Sequence, residues 1–137
     1  MKLYTFRLKP GQDLKREIEH FVRANNIQSG FIITCVAGLK QATLRMAGAK
    51  PDKQDVRTFD GPLEVTSLVG TVSVNGCHLH ITVSDKEGAA FGGHLKENTI
   101  VHPTAEIVIG EDEDVVYSRE LDNDTDFTEL VIRDRKI

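Results

Sequence analysis

Hydrophobic and polar residues alternate along most of the chain, and a period of two is typical of β-strands. A first strand is predicted at residues 4–8. After residue 30, strand-like runs follow one another at 31–38, 42–47, 56–60, 63–74, 77–85, 98–109, 115–121 and 128–132. Turn-forming residues lie between successive runs, so the pattern predicts a protein made mainly of short strands.

One segment departs from this alternation. Leu14, Ile18 and Val22 recur every four residues with charged side chains between them, which predicts an amphipathic helix over about 13–25. One helix among many strands, without a regular alternation of strand and helix, favours an α+β fold with a mostly antiparallel or mixed sheet. We expect a single domain over residues 1–137.

The Asn75-Gly76 pair predicts a tight hairpin. Both residue types tolerate the positive φ that a two-residue type I′ turn requires. The pair lies between the strand-like segments 68–74 and 77–84. We therefore expect these two segments to form a central antiparallel hairpin.

Composition narrows the class of protein. With 39% hydrophobic and 28% charged residues, 11 Gly and 4 Pro, the chain is unlike disordered or collagen-like sequences. Its longest apolar stretch, residues 31–39, is about half of the roughly 20 residues that cross a membrane, and the start lacks the apolar core of a signal peptide. We expect a cytoplasmic protein without a membrane span, in which Cys35 and Cys77 are reduced core thiols.

The net charge of −4 conceals an uneven distribution. Residues 1–57 carry 11 Lys+Arg and 5 Asp+Glu, whereas residues 58–137 carry 6 and 16. A surface for nucleic acid would therefore have to come from the first segment, where the basic side chains are dispersed rather than clustered. Seven of these eleven residues are the candidates for such a surface: Lys2, Arg16, Arg23, Lys40, Arg45, Lys50 and Arg57.

Three histidines in the second segment are candidate metal ligands. Because side chains alternate along a strand, His78 and His80 share one face of segment 77–84, with about 6.5–7 Å between their Cα atoms. Gly92-Gly93 predicts a loop that returns His94 to the same row. Three imidazoles with an open fourth position are a recurrent catalytic zinc site. Ordinary half-exposed polar side chains are the alternative interpretation of the same pattern.

Other chemical candidates are weaker. Glu106 is a candidate catalytic carboxylate near such a site, whereas Asp85 and Glu87 are expected to be ordinary loop charges. His102 precedes a proline and is expected to be structural, and His20 is expected on the helix surface. The sequence has no Walker loop, nucleophile elbow or G-x-G-x-x-G motif.

Several segments together resemble the PPC domain, the "plants and prokaryotes conserved" family. They are residues 76–88 with the two clustered histidines, Gly92-Gly93-His94-Leu95, residues 104–109 and the opening Arg7–Gly11. The resemblance implies a compact α+β domain that assembles as a homotrimer, with a divalent metal held by His78, His80 and His94. The fold is also similar to that of acetolactate decarboxylase, whose zinc is held by an H-x-H pair and a third histidine.

The resemblance leaves three functions open. The first is a trimeric, metal-binding protein with possible enzymatic activity, for which zinc is the favoured ion although three imidazoles also admit nickel, copper or iron. The second is a DNA-associated regulatory protein, as in plant members that carry an AT-hook, a motif absent here. The plant partner-contact stretch Gly-Arg-Phe-Glu-Ile-Leu corresponds to residues 61–66, without its Arg and Phe. The third is a structural oligomerisation module. The sequence does not indicate a substrate.

Overall fold

The computed structural model describes residues 1–136, and these form one helix and eight strands. In chain order the elements are β1 (Lys2–Leu8), α1 (Leu14–Ala24), β2 (Gly30–Arg45), β3 (Val56–Ser73), β4 (Gly76–Ser84), β5 (Ala90–Leu95), β6 (Ile100–Glu111), β7 (Val115–Leu121) and β8 (Thr128–Asp134). All pairings between these strands are antiparallel. The predicted α+β class with a mostly antiparallel sheet is confirmed. At 11 residues, α1 lacks the length that crossing a membrane requires.

The main sheet has six strands in the order β1-β6-β2-β3-β4-β5, and it curls far enough to meet itself. One edge of β2 pairs with β6 along most of its length. At its end, Leu44 and Arg45 pair instead with Leu95 and His94 of β5. Strands β2, β3, β4 and β5 therefore close into a ring at this end, while β7 and β8 form a separate two-stranded hairpin.

Helix α1 covers the inner face of the curled sheet. Its N-cap Asp13 accepts a hydrogen bond from the backbone N–H of Arg16, which satisfies one of the free donors at the helix start. Leu14, Ile18 and Val22 are almost fully buried against the sheet. The helix predicted at 13–25 thus agrees with the observed bounds to within one residue at each end.

In two places the structure has one long strand where the sequence predicted two shorter ones. The runs 31–38 and 42–47 join as β2, and 56–60 and 63–74 join as β3. The register of the β2–β3 pair shifts between Leu39 and Gln41 rather than stopping there. Because pairing resumes beyond this irregularity, the interruption bends the sheet instead of ending the strands.

The β3–β4 hairpin exists, but its turn lies one residue earlier than predicted. Ser73 pairs with Gly76, so Val74 and Asn75 are the loop residues, and Asn75 does not adopt the positive φ of a type I′ turn. Tertiary contacts hold the observed turn: the Asn75 side-chain amide donates to the carbonyl oxygen of Tyr117 at 2.9 Å. Residues 77–82 of β4 therefore each pair with a residue of β3 two positions earlier than predicted. Because side chains alternate with a period of two, the side chains of β4 lie on the predicted faces of the sheet.

Candidate metal centre

Strands β4 and β5 bring His78, His80 and His94 together. His80 and His94 are direct partners across the two strands, and His78 lies two positions along β4. The His78 Nε2 atom is 3.1 Å from His80 Nε2, and the His94 ring centroid lies 5.0 and 5.5 Å from those of His78 and His80. One ring nitrogen from each residue falls within 4.8 Å of the other two. The predicted convergence of the three imidazoles is thus present.

The segment before His94 is a strand, so the predicted glycine-rich loop is wrong. A Cβ on Gly92 would lie 2.2 Å from the carbonyl oxygen of Ile81, and one on Gly93 would lie 2.6 Å from that of Arg45. These glycines therefore allow backbones to approach closely within the sheet, a second use of glycine that sequence alone does not distinguish from a turn. His94 lies beside His80 because β5 pairs with β4.

The cluster lies on the outer face of the curled sheet. Leu79 and Ile81 alternate with the histidines and are buried in the core on the opposite face. His78 and His94 are half-buried, and His80 is exposed. This arrangement anchors β4 by its apolar residues and leaves the imidazoles accessible to an ion from solvent.

The surroundings favour neutral imidazoles. Burial, with the Arg45 guanidinium as the next cause, lowers the pKa of His94 to about 3. Burial also lowers the pKa of His78, assisted by His80 and Arg119. Both groups therefore remain unprotonated at neutral pH, and the neutral imidazole is the form that coordinates metals.

The spacing of the His78 and His80 nitrogens fits two ligands of one metal ion. Bonds of about 2.0–2.1 Å in a tetrahedral zinc site place neighbouring nitrogens about 3.3 Å apart. The observed 3.1 Å between the His78 and His80 nitrogens is close to this value. His94 supplies the third candidate nitrogen, within 4.8 Å of the other two, which leaves a fourth position open to water or another ligand.

Two cavities flank the histidines. One has a volume of about 370 Å³ and the other about 510 Å³, and both are lined by Arg45, His78, His94 and Phe127. The guanidinium of Arg45 lies 5.8 Å from the centre of the Phe127 ring, and its Nη2 donates to His94 Nδ1 at 3.3 Å. The site therefore combines candidate metal ligands with a cation and an aromatic wall.

Sequence reasoning missed the residues contributed by the C-terminal hairpin. Arg119 of β7, Phe127 in the turn and Glu129 of β8 line the smaller cavity. Arg119 is held in place by donating to the Thr71 hydroxyl of β3 at 2.8 Å. These contacts join positions about fifty residues apart in sequence, and no local pattern indicates them.

The structure does not bring the other candidates to the cluster. Glu106 is exposed on β6, where it pairs with Arg7 and Val36, and it lines neither of the two flanking cavities. Asp85 accepts hydrogen bonds from the backbone N–H groups of the turn that follows it, as an ordinary turn residue does. His20 and His102 are exposed and lie outside the cluster.

The basic residues of the first segment are largely engaged elsewhere. Within residues 1–136, three arginines of the set form ion pairs with carboxylates, and Arg45 contacts His94. The ion pairs are Arg16–Glu97, Arg23–Glu19 and Arg57–Asp55. These pairs lower the positive charge that is available to a nucleic-acid backbone.

Both cysteines are free, as predicted. Burial raises the pKa of Cys35 to about 12 and that of Cys77 to about 11. Protonated thiols are poor nucleophiles and poor metal ligands, so neither cysteine adds chemistry to the histidine cluster.

The sequence profile of the Plants and Prokaryotes Conserved (PCC) domain matches residues 1–113. A curated relative, the bifunctional protein GlmU of a Synechococcus strain, is 40% identical over 133 residues, which is 97% of this chain but 20% of the relative. A second Synechococcus GlmU gives nearly the same match. The chain thus spans about a fifth of the length of these relatives.

Solved structures share the fold over almost the whole chain. A hypothetical protein from Salmonella enterica has 35% identity and a TM-score of 0.92, with 98% of this chain and 95% of that chain covered. The metal-containing protein AF0104 from Archaeoglobus fulgidus has 26% identity and a TM-score of 0.79, with 96% and 94% covered. A proposed DNA-binding protein from Bacteroides thetaiotaomicron has 27% identity and a TM-score of 0.83, with 94% and 91% covered.

A more distant likeness is limited to the fold. A Staphylococcus aureus protein similar to alpha-acetolactate decarboxylase has 19% identity and a TM-score of 0.51, with 82% of this chain and 54% of that chain covered. The expected similarity of fold to acetolactate decarboxylase is confirmed at this level.

Proposed function

The chain belongs to the Plants and Prokaryotes Conserved domain family, and from this premise and the geometry of its histidines we propose that it binds one divalent metal ion through His78, His80 and His94. One observation carries the proposal: three ring nitrogens from two paired strands lie within 4.8 Å of one another. The metal-containing relative from Archaeoglobus fulgidus supports it. Zinc is the ion we favour, because three neutral imidazoles and one open position are its usual catalytic ligand set.

An ion at this position would support chemistry on a small molecule. A divalent metal held by three histidines polarises a bound oxygen or makes a bound water more acidic. The protein would contribute the three imidazoles, two flanking cavities and the cation of Arg45. Glu129, which lines one cavity, is better placed than Glu106 to exchange a proton there. We therefore propose a metal-dependent activity on a small substrate, with no role for Glu106.

The proposal predicts the metal content of the wild-type protein. Protein purified without a histidine tag should contain about one divalent ion per chain by elemental mass spectrometry, with zinc the most abundant. After removal by a chelator, the site should take up one equivalent of added zinc. Metal-free preparations that also fail to bind added zinc would contradict the proposed function.

We also propose that the chain assembles as a homotrimer, as its resemblance to the family implies. Support comes from large apolar side chains that are exposed on the sheet, including Val36 at 61% and Val69 at 54%. Light scattering should give a mass of about three times the 15.2 kDa of one chain. A mass of one chain at micromolar concentration would contradict the trimer.

DNA association is the second candidate function, supported by the proposed DNA-binding relative from Bacteroides thetaiotaomicron. The ion pairs of Arg16, Arg23 and Arg57 weigh against it. Affinity for duplex DNA measured at two salt concentrations distinguishes the two functions, because phosphate contacts produce a steep salt dependence. We rank DNA association below metal binding.

A further inference from the structure

The β7–β8 hairpin completes a second part of the site. It lies outside residues 1–113, the part of the chain that the family profile matches. Its residues Arg119, Phe127 and Glu129 form one wall of the 370 Å³ cavity, and His78 and His94 form another. The hairpin is fixed to the main sheet by Arg119 and by hydrogen bonds from Ser73 and Asn75 to the carbonyl oxygen of Tyr117. The cavity is therefore a built feature of the fold.

Two arginines in this cavity have no carboxylate partner. Of the eight arginines, all of which lie within residues 1–136, five form ion pairs with carboxylates. The remaining three are Arg7, which is exposed on β1, and the half-buried Arg45 and Arg119. Both half-buried guanidiniums line the same cavity. A guanidinium that is partly removed from water gains most from a carboxylate or phosphate, to which it can donate two parallel hydrogen bonds.

The net charge of the residues that line this cavity is positive, which also favours an anionic ligand. Glu129 is the one carboxylate among its lining residues, and it is engaged by the hydroxyl of Thr125 at 3.0 Å. Neutral imidazoles do not offset the charge of a metal ion, so a divalent ion would raise the net charge of the lining from about +1 to about +3. An anionic ligand is therefore favoured, and more strongly when the metal is bound.

Arg45 couples the two sites. Its guanidinium has only donors, so its hydrogen bond to His94 Nδ1 requires a free lone pair on that nitrogen. A metal on Nδ1 would occupy this lone pair. A metal on Nε2 would require the proton to sit on Nδ1. In both cases Arg45 loses His94 as an acceptor and becomes available to a ligand in the cavity.

We propose that Arg45 and Arg119 bind the oxyanion group of a small carboxylate or phosphate in this cavity, beside the histidine cluster, and that metal binding strengthens this interaction by releasing Arg45 from His94. The inference deepens the proposed function and rests on it for the metal. On this proposal the substrate is a small anion, and the β7–β8 hairpin binds it directly through Arg119.

Titration calorimetry with acetate and with inorganic phosphate tests the proposal on the full chain, in metal-free and zinc-loaded forms. Zinc should raise the affinity for at least one anion by about tenfold or more, within the usual range of coupling between two sites. Arg119→Gln should weaken anion binding by about tenfold or more, because a hydrogen bond to a charged group is lost. Arg119→Lys should restore part of the affinity. The stronger of the two probes indicates whether the natural ligand carries a carboxylate or a phosphate.

Arg133→Gln is the matched control. Arg133 lies on the same hairpin and pairs with Glu120, outside the cavity. Anion binding by this variant should equal that of the wild type. Circular dichroism on each variant shows whether the fold is retained.

The outcomes separate this inference from the proposed function. Zinc binding without anion binding, or equal anion affinity in wild type and Arg119→Gln, overturns the oxyanion cavity and leaves the metal site intact. If zinc does not bind, anion binding to the metal-free protein is the deciding measurement. Anion binding that depends on Arg119 then supports the oxyanion cavity and overturns the proposed effect of metal on Arg45. If no anion binds either, the oxyanion cavity and the effect of metal are both overturned.

Discussion

A His80→Ala variant should lose its divalent metal ion while keeping its fold. His80 is exposed, so its removal leaves no cavity in the core, but it supplies one of only three candidate protein ligands. Changes to residues that merely support a ligand reduce metal affinity by about 10–100-fold, so loss of a ligand should cost more than about 100-fold. Competition with a chelator of known zinc affinity measures this change directly.

The lower zinc affinity of His80→Ala should also be visible in its thermal stability. At a free zinc concentration one hundred times the dissociation constant, binding to the native state stabilises a protein by about 2.7 kcal/mol. The wild type should show a corresponding rise in melting temperature on addition of zinc, and the variant should gain no more than about 0.4 kcal/mol at that concentration. His20→Ala, at an exposed position on α1 away from the cluster, should behave as the wild type does. Equal zinc affinity in wild type and His80→Ala would exclude the three-histidine site.

The second large effect is expected from Gly70→Ala in β3. Gly70 has a φ of +141°, a conformation that side chains disfavour, and an added Cβ would lie 1.9 Å from the carbonyl oxygen of His78. Strain and overlap with backbone each cost about 1–3 kcal/mol, so the free energy of unfolding should fall by about 3 kcal/mol or more. For a chain of this size the melting temperature should fall by about 10 °C or more. Zinc affinity should also fall, because the overlap displaces the strand segment that holds His78.

Gly88→Ala separates these two causes. Gly88 also has a positive φ, +79°, but an added Cβ would meet nothing within 4 Å. This variant should lose only about 1–2 kcal/mol, the cost of a left-handed conformation for an L-residue, and should bind zinc normally. Urea unfolding of the two variants provides the comparison. Equal losses would mean that the close approach of β3 to β4 at His78 contributes nothing.

Local patterns predicted the elements whose packing follows from their own sequence. The four-residue spacing of Leu14, Ile18 and Val22 predicted α1, because these positions form one face of a helix. The alternation in β4 predicted which face carries His78 and His80, because the opposite face is apolar. Both features depend on residues that are close together in the sequence, so the local pattern of residues is sufficient to predict them.

Contacts between distant segments could not be predicted in this way. The Gly92-Gly93 pair indicated a loop because glycine also favours turns, whereas its role here is to admit neighbouring backbones. Likewise, the turn after Ser73 is fixed by Tyr117, more than forty residues away. Arg119 reaches the histidines only because the C-terminal hairpin packs on β3. The candidate ligands were therefore identified from the sequence, and the cavity beside them was not.

The closure of the ring between β2 and β5 has a consequence for motion. Only two residue pairs join these strands, Leu44 with Leu95 and Arg45 with His94, and the second pair belongs to the candidate site. Short pairings of this kind open more readily than the rest of a sheet, so backbone amides at this seam should exchange with solvent before those of the β2–β3 pair. The proposed ion would join β4 to β5 and has no ligand on β2, so it would not hold this seam closed, and the release of Arg45 from His94 would remove a side-chain contact across it. Zinc should therefore slow amide exchange along the β4–β5 pair without slowing it at Leu44 and Arg45.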